Sequence, residues 1–419
     1  MSSNRYVGVA ENASTSVFLP PARRTGPPME QSVDEPVKST GHRARILALL
    51  ALLAVGAATT TAFVPRDGPT KGLWAWGDNE SGQLGLGVVD PLPRPRRIAA
   101  LSNVISATGG EAHTLAVMSD GTVWSWGNNE KGQLGQGTQG SRDRPARIDG
   151  LGGVRSIAAG SQSSYALLAN DVVMAWGSNT TGALGDGSFT SRTRPVRVTG
   201  LQRVKRIAAG QDFALALTSD GGVWAWGSNS RGQLASSRRT PHQHPTKVKK
   251  LKNVIQVAAG AAHALAVKSD GTVVTWGANS SGQLGNGNTK DASAPQPVAN
   301  LSGIRTIAAG ANHSLALDAE GNVWAWGSNA KGALGIGLQG QQTTPVRIES
   351  LAKITAIAAG SNYSLAITED GSVWVWGDNE HGTLIADGNS TERKPKQVEQ
   401  LRGILRLGAG MRHLIVIGS

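Results

Sequence analysis

The sequence predicts an all-β fold, a seven-bladed β-propeller, on three observations. A Trp-Gly pair recurs seven times at a spacing of 50 residues, at Trp76, Trp126, Trp176, Trp226, Trp276, Trp326 and Trp376. A second marker keeps the same beat from Gly110 to Gly410, closing small-residue runs such as Ala158-Ala159-Gly160. Each unit divides into four short strand-like segments separated by turn signals. Self-similarity at this period marks a propeller or solenoid. It also makes residues that repeat seven times scaffold rather than active site.

Residues 1–45 are mixed in charge and rich in Ser and Pro, with no helical or strand period to bury, so a disordered tail is expected there. Ile46 to Val64 follows as nineteen residues without a charge. As a helix it would span roughly 28 Å, close to the hydrocarbon core of a bilayer. Lys38, Arg43 and Arg45 precede it, and Arg66 and Lys71 follow. That slight bias favours a single-pass anchor with the propeller extracytoplasmic. The alternative is a signal segment cleaved near Ala58 or Ala62, which would leave the propeller secreted. The repeats occupy 70–419.

Within a unit, Ile304 to Ala309 reads as an apolar strand, and Gly310-Ala311-Asn312 breaks it. His313 to Leu317 alternates as a second strand, and Glu320-Gly321 is a tight turn, with Asp-Gly at most equivalent places and Asn170-Asp171 departing from them. Asn322 to Trp326 is the third strand, with Trp324 and Trp326 on one face and Val323 and Ala325 on the other. Both faces are apolar, as a sheet sandwiched between two others requires. After the loop Gly327 to Gly337, Thr344-Pro345 leads into a short outer strand from Val346 to Ile348. Proline recurs there in all seven units, which suits the start of an edge strand. Four strands in each of seven units make the propeller.

The phase of the repeat specifies closure. The chain ends just after a second strand and the repeats begin just before a third. Leu401 to Ser419 should therefore supply the inner strands of a blade whose outer strands come from Leu73 to Ala99, leaving no open edge.

The segments IAAGANHSLAL (Ile307 to Leu317), VAAGAAHALAV (Val257 to Val267) and WGDNESGQLGLG (Trp76 to Gly87) resemble the repeat of the regulator of chromosome condensation family. The resemblance covers residues 70–419 and implies the seven-bladed propeller reached from the strand count. Its name suggests guanine-nucleotide exchange on a small GTPase. Exchange in the prototype resembles a face contact aided by an inserted wedge, and seven equal units leave no insertion to serve as one. Secreted bacterial propellers similar to this family act as protein inhibitors of enzymes, so the resemblance also implies a protein-binding scaffold.

Composition narrows the chemistry. Cysteine is absent, which excludes disulfides and thiolate metal sites. Paired carboxylates, a P-loop lysine, HExxH and GxSxG are missing, so neither an enzyme nor a bound cofactor is expected. Two GxGxxG matches, from Gly135 and from Gly335, fall in loops between strands and lack the following helix that a dinucleotide needs. His113, His263, His313 and His413 share one repeat position, with Ser163, Phe213 and Tyr363 elsewhere. Equivalent residues on different blades need not converge, so they read as hydrogen-bonded strand histidines rather than metal ligands.

The formal net charge is +12, which favours an anionic partner. Candidate partner-binding residues lie in the outer-strand segments: Arg94, Arg96 and Arg97, then Arg142, Arg144 and Arg147, then Arg192, Arg194 and Arg197, with Lys247 and Lys394 in later units. Ring closure would join them into one arc able to dock an acidic protein, a lipid headgroup or a cell-surface polymer. A solvated rim is the plain alternative. No aromatic is interleaved with the arginines in the sequence, which argues against nucleic acid.

Overall fold

A computed structural model describes residues 71–384 and 390–418. The segment 46–64, expected to be an anchor or signal, lies outside the described residues, as does the tail before it. Among the described residues no helix is long and apolar enough to cross a membrane.

Twenty-eight strands form seven four-stranded antiparallel sheets. β1 (Gly72–Gly77) and β2 (Leu92–Arg97) come first. Blade 1 is β3 (Val104–Gly109), β4 (His113–Met118), β5 (Val123–Gly127) and β6 (Arg142–Arg147), from the axis outward. Blades 2 to 6 repeat this over Val154–Arg197, Val204–Lys247, Val254–Pro297, Ile304–Arg347 and Ile354–Gln397. The last two strands, β27 (Ile404–Ala409) and β28 (His413–Gly418), join β1 and β2 in a sheet ordered β2-β1-β28-β27. Gly72 pairs with Gly418 and Gly77 with His413, so the closure expected from the phase is the one formed.

The core is seven separate apolar clusters, each at the seam between two neighbouring blades. The alternation of the third strand explains this. Trp326 packs against Leu265 and Val267 of the blade before it, while Val323 and Ala325 pack against Ile357 of the blade after it.

Two details differ from the sequence expectation. The outer strand begins earlier than Val346, at Gln342, so Pro345 sits inside it. The register explains why proline is tolerated: Ala325 faces Val346 and Gly327 faces Gln342, so three residues bulge opposite Trp326 and no ladder N–H is needed there. The bulge also exposes the Thr343 carbonyl, which accepts the Gly287 N–H of the preceding blade at 2.9 Å. At the Asn170-Asp171 turn, Asp171 takes a φ of 67° and keeps the hairpin geometry that glycine provides elsewhere.

Candidate protein-interaction surfaces

Seven residues do the stitching that the sequence shows as a beat. The tryptophan of each Trp-Gly pair is buried, and its indole N–H donates to a backbone carbonyl of the preceding blade. Trp126 donates to Gln83 at 2.8 Å, Trp326 to Gln283 at 2.9 Å, and Trp76 closes the circle onto Thr383 at 2.9 Å. The following glycine is required by crowding and by φ: Gly127 has a φ of 103°, and a Cβ there would lie 2.4 Å from the Ala112 carbonyl.

The four phased histidines belong to the same stitch. His113 Nε2 meets Ser164 Oγ of the next blade at 2.9 Å, and Ser164 donates to the Gln133 carbonyl at 2.8 Å. The hydroxyl is thereby the acceptor, which fixes the imidazole proton on Nε2. His263 meets Ser314, His313 meets Ser364, and His413 crosses the closing seam to Thr114 at 2.8 Å. Burial holds His113 and His313 down to about 4; burial, then a neighbouring histidine, holds His263 and His413 at about 3. They are neutral inter-blade braces, as expected of strand histidines. Where a blade carries Phe213 instead, the next supplies Ala264 rather than a hydroxyl, and the two share one apolar cluster.

The inner strands surround an axial cavity of about 290 Å³, walled by the Ala-Ala-Gly runs. A belt of backbone hydrogen bonds encircles it. Glu111 N–H donates to Ser161 O, Ser161 to Gln211, and so round to Met411, which donates to Gly110. At this rim burial, then the charge of Glu111, pushes the Asp212 carboxyl up. Among the described residues no three His, Asp or Glu side chains group as a metal site.

The two ends of the ring differ. One, the loop end, carries the short turns near Gly110 and the long loops after each Trp-Gly pair. The other, the hairpin end, carries the Asp-Gly turns and the connections between blades, and both termini of the propeller emerge there.

The structure divides the predicted basic arc between these ends. Arg94, Arg96, Arg97, Arg142, Arg144, Arg147, Arg194, Arg197, Lys247 and Lys394 are all exposed on outer strands. Arg142, Arg192 and the equivalent positions start their strands at the loop end. Arg144 and Arg194 lie partway along and lean across a blade boundary. Their guanidinium groups cover Gly87 and Gly137 in the loops of the preceding blades, and Lys394 covers Gly337 in the same way. Arg192, also among the predicted residues, is engaged within its own blade. It is partly buried and donates through Nε and Nη2 to Asp186 at 2.9 and 2.8 Å. Burial raises the Asp186 carboxyl, but the bonds from Ser188 and Arg192 outweigh it and hold it below the usual range.

Arg97, Arg147, Arg197 and Lys247 sit at the hairpin end, each directly opposite the residue two places before the buried tryptophan of the third strand: Trp74, Trp124, Met174 and Trp224. Arg97 lies 5.8 Å over the Trp74 ring. Cations and aromatics thus face one another across strands at Trp74, Trp124 and Trp224, although none is interleaved along the chain. Sequence reasoning also missed the apolar tips of the loop end: Val88 is 45% exposed, Val89 54%, Phe189 50% and Leu338 64%. Their sequence signal was apolar residues at two adjacent loop positions that most other units fill with polar ones, such as Thr138 and Asn288 at the first and Gln139 and Thr289 at the second.

A closed ring of seven four-stranded blades, braced by an indole bond at every seam and an imidazole bond at four of them, defines a propeller of one family. The RCC1-like domain model matches residues 72–416, and the chain belongs to that family. Among solved structures, Prp20p from Saccharomyces cerevisiae is similar at 25% identity and a TM-score of 0.77, over 88% of this chain and 94% of that one. Human WBSCR16 is similar at 24% identity and a TM-score of 0.76, over 83% and 99%. Protein RCC2 of Homo sapiens is 47% identical over 53 residues, which is 12% of this chain and 10% of that protein. The match thus spans about a tenth of the curated relative's length.

Proposed function

We propose that this chain is a non-catalytic, protein-binding propeller, held at a membrane through residues 46–64, that docks an acidic protein at the outer edge of its loop end. The observation that supports this most is the company kept by the exposed tips. Val88 and Val89 directly follow Gly87, which Arg144 covers, and Leu338 directly follows Gly337, which Lys394 covers. Apolar anchors beside cations suit a protein surface with acidic groups around an apolar centre. The repeated polar groups, by contrast, are engaged with one another inside the seams. The alternative of cleavage near Ala58 or Ala62 releases the same propeller as a secreted binder.

A photo-crosslinking residue placed in turn at Val89, Phe189 and Ile255 tests the reading in intact cells. Adducts to a protein from positions 89 and 189 but not from 255 are expected. Equal adducts from both ends, or none, would overturn it. Digestion of the propeller by external protease on intact cells is expected as well, and protection until lysis would place it in the cytoplasm.

A second reading follows from the similarity to Prp20p, whose solved structure is described with its binding to Gsp1p and histones. On that reading this propeller engages a small GTPase as an exchange factor, or chromatin. The uniform units lend it no inserted wedge, and nucleotide release from candidate GTPases measures it directly.

A further inference from the structure

We propose that the hairpin end is a docking surface for anionic lipid headgroups, so that the propeller lies with this end against the bilayer. This rests on the membrane reading of residues 46–64. Seven steps of chain separate Val64 from Lys71, at most about 24 Å when fully extended. Lys71 leads into β1 at the hairpin end of the closing blade, where Gly72 pairs with Gly418. A tether this short keeps that end, and not the loop end, next to the membrane.

The chemistry of the hairpin end suits such a neighbour. The connection from blade 3 to blade 4 carries Lys249, Lys250 and Lys252, all exposed, with Val248 and Leu251 buried as pins between them. Arg203 is exposed on the preceding connection. Other cations of this end are already held: Lys247 lies 3.7 Å from Asp220, Lys268 2.8 Å from Asp270, and Arg155 2.6 Å from Asp171. Arg203, Lys249, Lys250 and Lys252, by contrast, have no carboxylate partner among the described residues. Ile255, 45% exposed, stands beside them, an apolar residue able to enter the headgroup layer.

Backbone conformation gives an independent sign. Arg203 and Lys250 have φ values of 51° and 60°. Most other units with this conformation place glycine at these turn positions, as at Gly153 and Gly200, or asparagine, as at Asn103 and Asn300, although Lys353 shares the Arg203 position with a φ of 53°. A long cationic side chain in the left-handed region is disfavoured. The chain keeps cations here against local preference, a pattern associated with function.

Position in the ring completes the argument. The seam between blades 3 and 4 lies opposite the closing blade, three blades away in either direction. Tether and cationic patch therefore hold the ring at two opposed points, and the loop end faces away from the membrane. An extended nucleic acid fits less well, because the acidic hairpin tips Asp120, Asp220, Asp270 and Asp370 interrupt any continuous cationic track around this end.

The propeller, residues 70–419, contains all seven sheets and all seven core clusters, so it can be tested without its anchor. It is expected to sediment with vesicles of phosphatidylcholine containing 30 mol% phosphatidylserine, and not with phosphatidylcholine alone. The variant Arg203→Gly, Lys249→Thr, Lys250→Asn, Lys252→Ser adopts residues that other units use, at Gly153, Thr199, Asn300 and Ser302, and so should fold at least as well. Its partitioning should fall by about a hundredfold or more, since each cation near an anionic surface contributes on the order of a factor of five. No sedimentation with anionic vesicles, sedimentation unchanged in the variant, or tighter binding to a DNA duplex than to vesicles at the same salt would overturn the proposal. Cell fractionation of the full chain reports on the anchor separately. Vesicle binding by a propeller whose full chain proves secreted leaves the lipid surface standing and removes the anchor.

Discussion

The seams and the outer rim of this propeller obey different rules. At the seams every unit repeats: a buried tryptophan reaches back to a carbonyl, and a histidine, where present, reaches forward to a hydroxyl. On the rim the units diverge, from Arg144 and Arg194 to Ala294 and Thr344 at one position. The difference teaches that repetition here reports ring mechanics, and departure from repetition reports specificity. An active site inferred from the most repeated residues would have landed on the braces.

The comparison can be broken most severely at the closing seam. Removing the last fifteen residues, 405–419, deletes β28 and all of β27 but Ile404, and leaves β1 with an open edge. Loss of cooperative unfolding is expected in calorimetry, and a full-length melting temperature would contradict the closure. Next in size is Trp126→Ala, which empties a fully buried site and removes its bond to Gln83. A loss of about 3–5 kcal/mol is expected from denaturant unfolding. Trp124→Ala, at a half-buried position on the same third strand, should cost clearly less.

The histidine braces make the seams sensitive to acid. Their folded values, about 3 to 4, lie below the unfolded value near 6.5. Between these limits the unfolded chain binds more protons. Stability is therefore full above about pH 6.5 and falls as the pH drops toward 4, by on the order of 1 kcal/mol per pH unit for each histidine. The pair His413→Phe with Thr114→Ala copies the Phe213 and Ala264 arrangement of blades 3 and 4. It should flatten the acid limb of a melting-temperature profile by about a quarter, four histidines being present at this position.

The seams were nearly all legible in the sequence because one physical requirement was printed seven times. The Trp-Gly spacing gave the strand order, and the phase gave the closing sheet. Even the hydroxyl partners of the histidines stand 51 residues downstream, at Ser164, Ser314 and Ser364, although nothing in one unit alone reveals them. The rim was less legible because its properties arise between strands and between blades. Trp74 faces Arg97 across a ladder, Arg144 covers a glycine of another blade, and Asp186 engages Arg192 through a loop fold. A linear list of arginines could mark the region but could not divide it into a loop end and a hairpin end.

The smallest expected effect on stability is also the most direct test of the central claim, that the seams carry the fold and the rim carries the binding. Arg94→Glu, Arg144→Glu and Arg194→Glu together change only exposed side chains. Thermal unfolding and capture of the crosslinked partner should be measured on the same preparation. A melting temperature close to that of the parent and capture reduced at least tenfold at low salt are expected. Capture that survives the triple change, or a rim variant that unfolds as a seam variant does, would contradict it.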